Sequence, residues 1–344
     1  MAVARRAARV YILDPEVIMR RTPLLLMLAA CLALSACAPK LKFFTDAHDP
    51  FQEYVLEGKD SSGKVLVLPV SGIITEEPRE GFMTTRPSMV QEVVSQLRLA
   101  EKDEAIKAVV LQINSPGGGV TASDILYHEI TAFRERTKIK VVAVFMDLAA
   151  SGGYYVALPA DRIVAHPTTV TGSVGAVFYR PKVHGLLDKI GVSVEVAKSG
   201  QSKDMASPFR PDTPAEAAQL QAIIQDMGDR FLALVKERRH LSEEAARKVG
   251  TASVYTASQA LALGLVDEVA YLPETLDQTK TLAGLSEEAE VVVFRRSEYP
   301  DDTIYNPSAE ASAKGPALIN VQAPWVLPPR AGFYYLWGAG AGME

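Results

Sequence analysis

The chain has 344 residues, of which 48% are hydrophobic and 22% charged, which is the composition of a folded globular protein rather than a disordered one. This length suffices for one large α/β domain or two small ones. The formal net charge of −5 at pH 7 disfavours nucleic-acid binding, which requires a basic surface.

The N-terminal segment has the features of a secretory signal. Arg20 and Arg21 precede an apolar run over residues 24–34, which is shorter than the roughly 20 apolar residues of a membrane-spanning helix. Met19 would begin a compact basic region, so we expect the true start there. Residues 34–37, Leu-Ser-Ala-Cys, resemble a bacterial lipobox, in which the cysteine is acylated and becomes the first mature residue. An ordinary signal peptide is the alternative.

Lipidation of Cys37 would fix the mature chain to a membrane, because each buried methylene of an acyl chain contributes about 0.8 kcal/mol. We therefore expect a lipoprotein of the bacterial cell envelope whose folded domain lies outside the cytoplasm, on the periplasmic side. The two cysteines, Cys31 and Cys37, both lie in the signal segment, 1–37. The mature domain consequently has no cysteine pair for an internal disulfide.

Residues 38–62 mix charged and aromatic residues without a clear period, and we interpret them as a tether. The main domain is predicted over 63–295, where apolar strands alternate with amphipathic helices. This alternation predicts repeated right-handed βαβ units and a mainly parallel sheet. The predicted strands are 64–75, 107–113 and 140–145, and the predicted helices are 89–100 and 122–133.

The pattern becomes helical after residue 203. Thr213-Pro214-Ala215-Glu216 is a strong start signal for a long helix, which we expect to be exposed or to bridge subunits. A further helix is predicted at 256–260 and a short strand at 265–269. Residues 296–344 are rich in Pro, Gly, Ser and Ala, with aromatic islands at Trp325 and 333–337. We expect a loosely structured C-terminal extension whose aromatic residues dock on the same subunit or on a neighbour.

A glycine-rich segment over residues 113–119, Ile-Asn-Ser-Pro-Gly-Gly-Gly, lies where a predicted strand ends. Gly117 and Gly118 would let backbone N–H groups face a substrate, as in an oxyanion hole or an extended-peptide site. A tight strand-to-helix turn is the plain alternative. A phosphate cradle is disfavoured because no Gly-Lys-Ser/Thr follows.

Ser151 lies in a second such segment, Ala149-Ala150-Ser151-Gly152-Gly153, again after an apolar strand. A serine at a helix start can serve as a nucleophile, but serine is also a common N-cap. Because residue 149 is Ala, the G-x-S-x-G nucleophile elbow of α/β-hydrolases is not met.

Two later segments complete the set, Thr171-Gly172-Ser173-Val174-Gly175 and the lysine-containing run over residues 198–204. A lysine acts as a general base only when it is neutral, which requires burial and a positioning partner. Ser173 could be that partner. Most lysines in polar loops are simply solvated.

Together these four segments resemble the signal peptide peptidase A family of Ser-Lys peptidases, in its short single-copy form. The resemblance runs from about Lys64 to Val269 and implies a Clp-protease/crotonase-like α/β fold. It makes Ser151 the nucleophile, Lys203 rather than Lys198 the general base, and Ser173 the hydroxyl that orients the lysine. It also places Gly152, Gly117 and Gly118 on the oxyanion side.

The resemblance further implies a serine endopeptidase that degrades short hydrophobic peptides, such as cleaved signal peptides, without a metal or cofactor. It implies a ring-shaped homo-oligomer, in which the serine and lysine of one active site can come from adjacent protomers or from the same one. A non-catalytic ring scaffold of the same fold is the main alternative function. A crotonase-like acyl-CoA enzyme is a third, although it would be misplaced outside the cytoplasm.

The Ser-Pro-Gly-Gly turn also resembles the proteolytic subunit of Clp protease, which uses a Ser-His-Asp triad. No histidine here lies in a segment similar to that family's histidine motif, and His166 is the one we would test as a base. The histidines are His48, His128, His166, His184 and His240.

Overall fold

A computed structural model describes residues 49–80, 85–306 and 332–338. The predicted signal segment with Met19 and Cys37, and the aromatic Trp325, lie outside the described residues. None of the helices in the described ranges is both long and apolar enough to cross a membrane.

Fourteen strands and eight helices lie within these ranges. The strands are β1 Gln52–Glu57, β2 Asp60–Ser71, β3 Arg79–Glu80, β4 Thr85–Arg86, β5 Ile106–Ser115, β6 Gly117–Gly119, β7 Lys140–Ala150, β8 Arg162–Ala165, β9 Val170–Gly172, β10 Val177–Tyr179, β11 Val254–Thr256, β12 Glu268–Val269, β13 Ala289–Arg295 and β14 Gly332–Leu336. The helices are α1 Met89–Ala100, α2 Val120–Thr137, α3 Gly152–Tyr155, α4 His184–Ile190, α5 Pro214–Arg239, α6 Glu243–Val249, α7 Ala257–Ala262 and α8 Leu272–Leu282.

The main sheet is parallel through its centre, in the order β1-β13-β2-β5-β7-β8-β12. The edge strand β1 is antiparallel to β13, while β9 continues the sheet by pairing in parallel with the end of β7. The central runs 109–111 and 141–145 are almost fully buried, as expected for strands covered on both faces. The predicted mainly parallel α/β fold is therefore confirmed.

Two hydrophobic cores cover the two faces of this sheet. The larger contains buried residues of α1 and α2, such as Val93 and Leu126, and the smaller contains Leu272 and Leu276 of α8. Helix α1 has the predicted bounds, and α5 begins with a capping box between Thr213 and Glu216. The predicted start signal of α5 is thus a real N-terminus.

The two ends of the domain are more ordered than the sequence predicts. Within the predicted tether, β1 forms the edge of the main sheet, and its mostly exposed side chains explain why no apolar period is visible. In the predicted loose extension, Ile304 is 4% exposed and joins the smaller core, and its carbonyl accepts a hydrogen bond from Gln112 at 3.1 Å. Strand β14 packs in a second, three-stranded sheet.

Candidate active site

The predicted motifs meet at one edge of the main sheet because they follow parallel strands that end together. Ser115 of β5 pairs with Ala149 of β7, and Ala150 of β7 pairs with Gly172 of β9. Each pair lies at the carboxyl end of its strand, where open α/β sheets bind their ligands. The sheet register therefore brings the glycine-rich turn, Ser151 and Ser173 together.

Ser151 is held in a strained and enclosed position. Its φ of 53° and ψ of −116° lie outside the regions that non-glycine residues normally occupy, at a cost of about 1–3 kcal/mol. Its N–H donates to the carbonyl of Gly172 at 2.8 Å. The residue is 1% exposed, and its Oγ has no hydrogen-bond partner among the described residues. Such a hydroxyl is available for chemistry.

Gly152 and Gly153 allow the chain to turn from Ser151 into α3 against close neighbours. A Cβ on Gly152 would lie 2.5 Å from the Ser123 Oγ, and one on Gly153 would lie 2.6 Å from the Ser115 carbonyl oxygen. No side chain fits at either position without displacing its neighbours. The two glycines therefore set the position of the serine.

The glycine-rich turn is fixed by the Ser115 hydroxyl, which sequence reasoning missed. Ser115 Oγ donates to the Gly72 carbonyl at 2.7 Å and accepts from the Gly117 N–H at 3.0 Å. Gly117 has a φ of 103°, a conformation that favours glycine. Because its N–H already bonds Ser115, Gly117 is poorly suited to donate to an oxyanion. The sequence analysis had placed Gly117 on the oxyanion side.

Ser173 lies beside Ser151, one residue beyond the Gly172 carbonyl that accepts the Ser151 N–H. Ser173 is 9% exposed, has a φ of 53° and donates its N–H to the Ser253 carbonyl at 2.8 Å. Its position agrees with a hydroxyl that orients a base for Ser151.

Lys203 does not bond the Ser151 hydroxyl within one chain. It lies exposed in the loop between α4 and α5. The Ser151 Oγ has no hydrogen-bond partner among the described residues, which excludes a Lys203–Ser151 hydrogen bond inside the protomer.

Lys198, the other lysine of this loop, is engaged in an ion network. Its Nζ donates to Asp204 at 2.7 Å, and Arg210 joins Asp204 to Glu216 of α5. Hydrogen bonds from Arg210 and Lys198 hold the pKa of Asp204 well below its usual range, and Arg210 lowers the pKa of Glu216 to about 2. Lys198 is therefore engaged in this network, and it does not bond the Ser151 hydroxyl.

His166 belongs to a turn rather than to the site. Its Nδ1 lies 2.9 Å from the Thr168 Oγ1, and its ring packs edge-on against Tyr271 at 5.0 Å. Because Ser151 has no partner among the described residues, His166 does not form a Ser-His pair with it.

A second feature missed from the sequence is the strand that adjoins the glycine-rich turn. Strand β14 pairs antiparallel with β6 on one side and with β10 on the other. The aromatic island at 333–337 indicates a docking segment, but its partner strands β6 and β10 have only three residues each, so the pairing has no signature in the sequence.

Comparison with known proteins identifies the family. A model of peptidase family S49 matches residues 133–286, and a model of Clp protease matches residues 82–170. A candidate signal peptide peptidase SppA of Enterococcus faecium is 32% identical over 262 residues, covering 76% of this chain and 74% of that protein. The chain belongs to peptidase family S49.

Two further relatives agree with this S49 assignment. A candidate protease of Synechocystis is 38% identical over 56% of this chain and 69% of that protein. The chloroplastic serine protease SPPA of Arabidopsis thaliana is 32% identical over 60% of this chain and 31% of that protein. The chain is thus a serine peptidase of SppA type with a Clp-protease-like fold. The predicted enzyme class and the predicted fold are both confirmed.

Proposed function

We propose that this S49 peptidase is a membrane-anchored endopeptidase that uses Ser151 as nucleophile and Lys203 of an adjacent protomer as general base. The observation that carries the proposal is the Ser151 hydroxyl, which is buried and strained and has no partner among the described residues at the carboxyl end of β7. Because none of the described residues bonds this hydroxyl, we assign its base to an adjacent protomer.

The loop that carries Lys203 has the character of a subunit interface. Leu186 and Ile190 of the preceding α4 and the alternating Val192, Val194 and Val196 are between 45% and 61% exposed. Large apolar side chains exposed together in one segment are typical of a protein contact. A second copy that covered this surface would also bury Lys203, which favours the neutral lysine that a base needs.

In the proposed reaction, neutral Lys203 takes the proton of Ser151 while the serine oxygen attacks a peptide carbonyl. The Gly118 and Gly152 N–H groups hold the resulting oxyanion, since the Gly117 N–H is bonded to Ser115. Lys203 then protonates the leaving amine, and a water that it activates hydrolyses the acyl-serine. Ser173 orients the lysine.

The proposed substrates are short hydrophobic peptides, such as cleaved signal peptides. A lipid anchor at Cys37 would hold the site at the surface of the bacterial membrane, on the periplasmic side, where such peptides concentrate. The resemblance to SppA supports this substrate class, and the proposed reaction requires neither a metal nor a cofactor.

The test is a complementation assay with a fluorogenic hydrophobic peptide. We expect Ser151→Ala and Lys203→Ala each to be inactive, and their co-expression to restore about a quarter of parental activity, because random head-to-tail assembly pairs an intact serine with an intact lysine at one site in four. Lys198→Ala is the matched control and should remain active. Absence of complementation would place both residues in one protomer, and active single variants would disprove the dyad.

A further inference from the structure

Arg210 joins the loop that carries Lys203 to the start of α5. Its Nε and Nη2 donate to the two carboxylate oxygens of Asp204 at 2.9 and 2.7 Å. Its Nη1 donates to Glu216 Oε2 at 2.8 Å, and its Nη2 donates to the other oxygen of that carboxylate. Arg210 therefore bridges two carboxylates and binds each of them bidentately, which a lysine cannot do.

Glu216 fixes the far end of this bridge. It is 5% exposed, lies in the first turn of α5 and accepts the Thr213 N–H at 2.9 Å as part of the capping box. Further along α5, Phe231 and Val235 are buried in the larger hydrophobic core. The bridge therefore ties the lysine loop to a helix that is anchored in the body of the domain.

Asp204 directly follows Lys203, so its contacts fix the backbone next to the lysine. The Asp204 carbonyl also accepts a hydrogen bond from Arg210, at 3.2 Å. Lys198 donates to the Asp204 carboxylate at 2.7 Å and to the Gln201 carbonyl at 3.0 Å, which closes the segment that precedes Lys203. The backbone around Lys203 is thus held on both sides, while the lysine side chain is exposed.

The opposite side of the loop is tied to the residues that follow β10. Lys182 Nζ donates to the carbonyls of Ser207 and Arg210 at 3.1 and 3.0 Å and to Asp212 at 2.9 Å. Arg210 takes part in both sets of contacts, through its side chain on one side and its carbonyl on the other. Removal of its side chain would release the end of the loop that carries Lys203.

The bridge is also electrically balanced. Arg210 and Lys198 offset the charges of Asp204 and Glu216, and hydrogen bonds from the two cations hold the pKa of Asp204 well below its usual range. Without Arg210, the carboxylate next to Lys203 would keep only one partner. A carboxylate beside an ammonium group stabilises its charged form, whereas a general base must be neutral. The charged groups of the segments that pack around the loop are Arg180, Lys182, Lys198, Asp204, Arg210, Asp212 and Glu216.

We propose that Arg210 is a positioning residue for the general base. Its bridge to Glu216 fixes Lys203 in the place from which it reaches an adjacent protomer, and its bond to Asp204 keeps that carboxylate from pairing with the lysine. Arg210 acts through Lys203 and is not itself part of the dyad. The inference rests on the proposed function, since it takes Lys203 as the base.

The first test measures kcat and KM against pH in the full chain, with a fluorogenic hydrophobic peptide. In Arg210→Met, the limiting kcat at high pH should fall roughly 10- to 100-fold, because a displacement of about 1 Å costs about 100-fold in rate. The midpoint of the increase in kcat should move up by about 1 pH unit, because Asp204 is then free to pair with the lysine. KM should remain parental.

Arg136→Met is the matched control. It breaks the exposed ion pair of Arg136 with Glu101 at the end of α2, in which the two side chains lie 3.0 Å apart. Its limiting kcat and its midpoint should both be parental. Parental values of both in Arg210→Met would overturn the proposal. A lower kcat with a parental midpoint in Arg210→Met would indicate a merely structural role and would overturn it as well.

The second test separates the charge of Arg210 from its geometry. Arg210→Lys keeps the charge but cannot bridge two carboxylates, so the midpoint should be parental and the limiting kcat should lie between those of the parent and Arg210→Met. In the double variant Arg210→Met/Asp204→Asn, the midpoint should return to the parental value while kcat stays low. A midpoint that stays raised in the double variant, or a parental kcat in Arg210→Lys, would overturn the proposal.

The positioning role and the proposed function fail in distinguishable ways. If Lys203→Ala is inactive but Arg210→Met behaves as the parent, the positioning role is wrong and the proposed function stands. If Lys203→Ala cleaves as well as the parent, the proposed function is wrong. Light scattering compares the oligomer of each variant with that of the parent. If Arg210→Met does not assemble, Arg210→Lys carries the test with the outcomes given above.

Discussion

Gly153→Ala tests whether close packing behind Ser151 positions the nucleophile. The added methyl group would lie 2.6 Å from the Ser115 carbonyl oxygen and 3.3 Å from the Ser115 Cβ. Ser115 cannot easily yield, because its hydroxyl bonds both Gly72 and Gly117 and its backbone pairs with β7. The segment from Ser151 to Gly153 must therefore move.

The expected effect is a loss of both stability and activity. Overpacking of this kind costs about 1–3 kcal/mol, which exceeds the stabilisation of about 0.4–1 kcal/mol that Gly→Ala gains from the unfolded chain. A displacement of the nucleophile by about 1 Å costs about 100-fold in rate. Gly153→Ala should thus lower the free energy of unfolding and reduce kcat more than it changes KM.

The assay combines urea unfolding with steady-state kinetics, and Gly228→Ala is the control. Gly228 lies inside α5, and the nearest heavy atom to a Cβ there is the Ala176 N at 3.8 Å, an ordinary contact. This variant should be as stable as the parent or more stable by up to about 1 kcal/mol, with parental activity. Parental stability and kcat in Gly153→Ala would refute the role of close packing.

Three further predictions concern proton transfer, the lysine loop and the anchor. Activity should increase with pH, because Lys203 accepts a proton only when neutral, and a flat profile from mildly acid to alkaline pH would contradict a lysine base. Since Arg210 lowers the pKa of Glu216 to about 2 from an ordinary 4.5, the stability this pair contributes is present above about pH 4.5 and lost as the pH falls towards 2. In the parent, hydrogen-exchange protection of residues 198–216 should be high above about pH 4.5 and should decrease as the pH falls towards 2. In Arg210→Met, protection should already be low at neutral pH, which would confirm that the Arg210–Glu216 pair is the source of the protection. Cys37→Ala should move the protein from the membrane to the soluble fraction, and unchanged fractionation would contradict a lipid anchor.

The sequence predicted the parts of the fold that depend on local pattern. Continuous apolarity marked β5 and β7, and the capping residues Thr213 and Glu216 marked the start of α5. Strand β1 was missed because an edge strand with exposed side chains lacks the continuous apolarity of a buried strand. Strand β14 was missed because its pairing with Gly117–Gly119 depends on residues far apart in the chain, and glycines carry no side-chain pattern.

In the candidate site, too, only the features that follow from local sequence pattern were predicted. Ser151 and Ser173 were expected together, and the register of β7 and β9 explains why they meet, since each follows a strand end by one residue. The bond between Ser115 and the Gly117 N–H could not be predicted, because it depends on the rotamer of a serine inside a turn. It disfavours Gly117 as an oxyanion donor and leaves Gly118 and Gly152 of the three glycines expected on the oxyanion side.

The proposed function describes a protomer that lacks its base until it assembles. Its serine is strained and has no hydrogen-bond partner among the described residues, and its Lys203 is exposed. Assembly with a second copy would supply the base. Because a base acts in proton transfer rather than in holding the peptide, variants of Lys203 should lower kcat. A variant of Lys203 that changed KM alone would contradict this role.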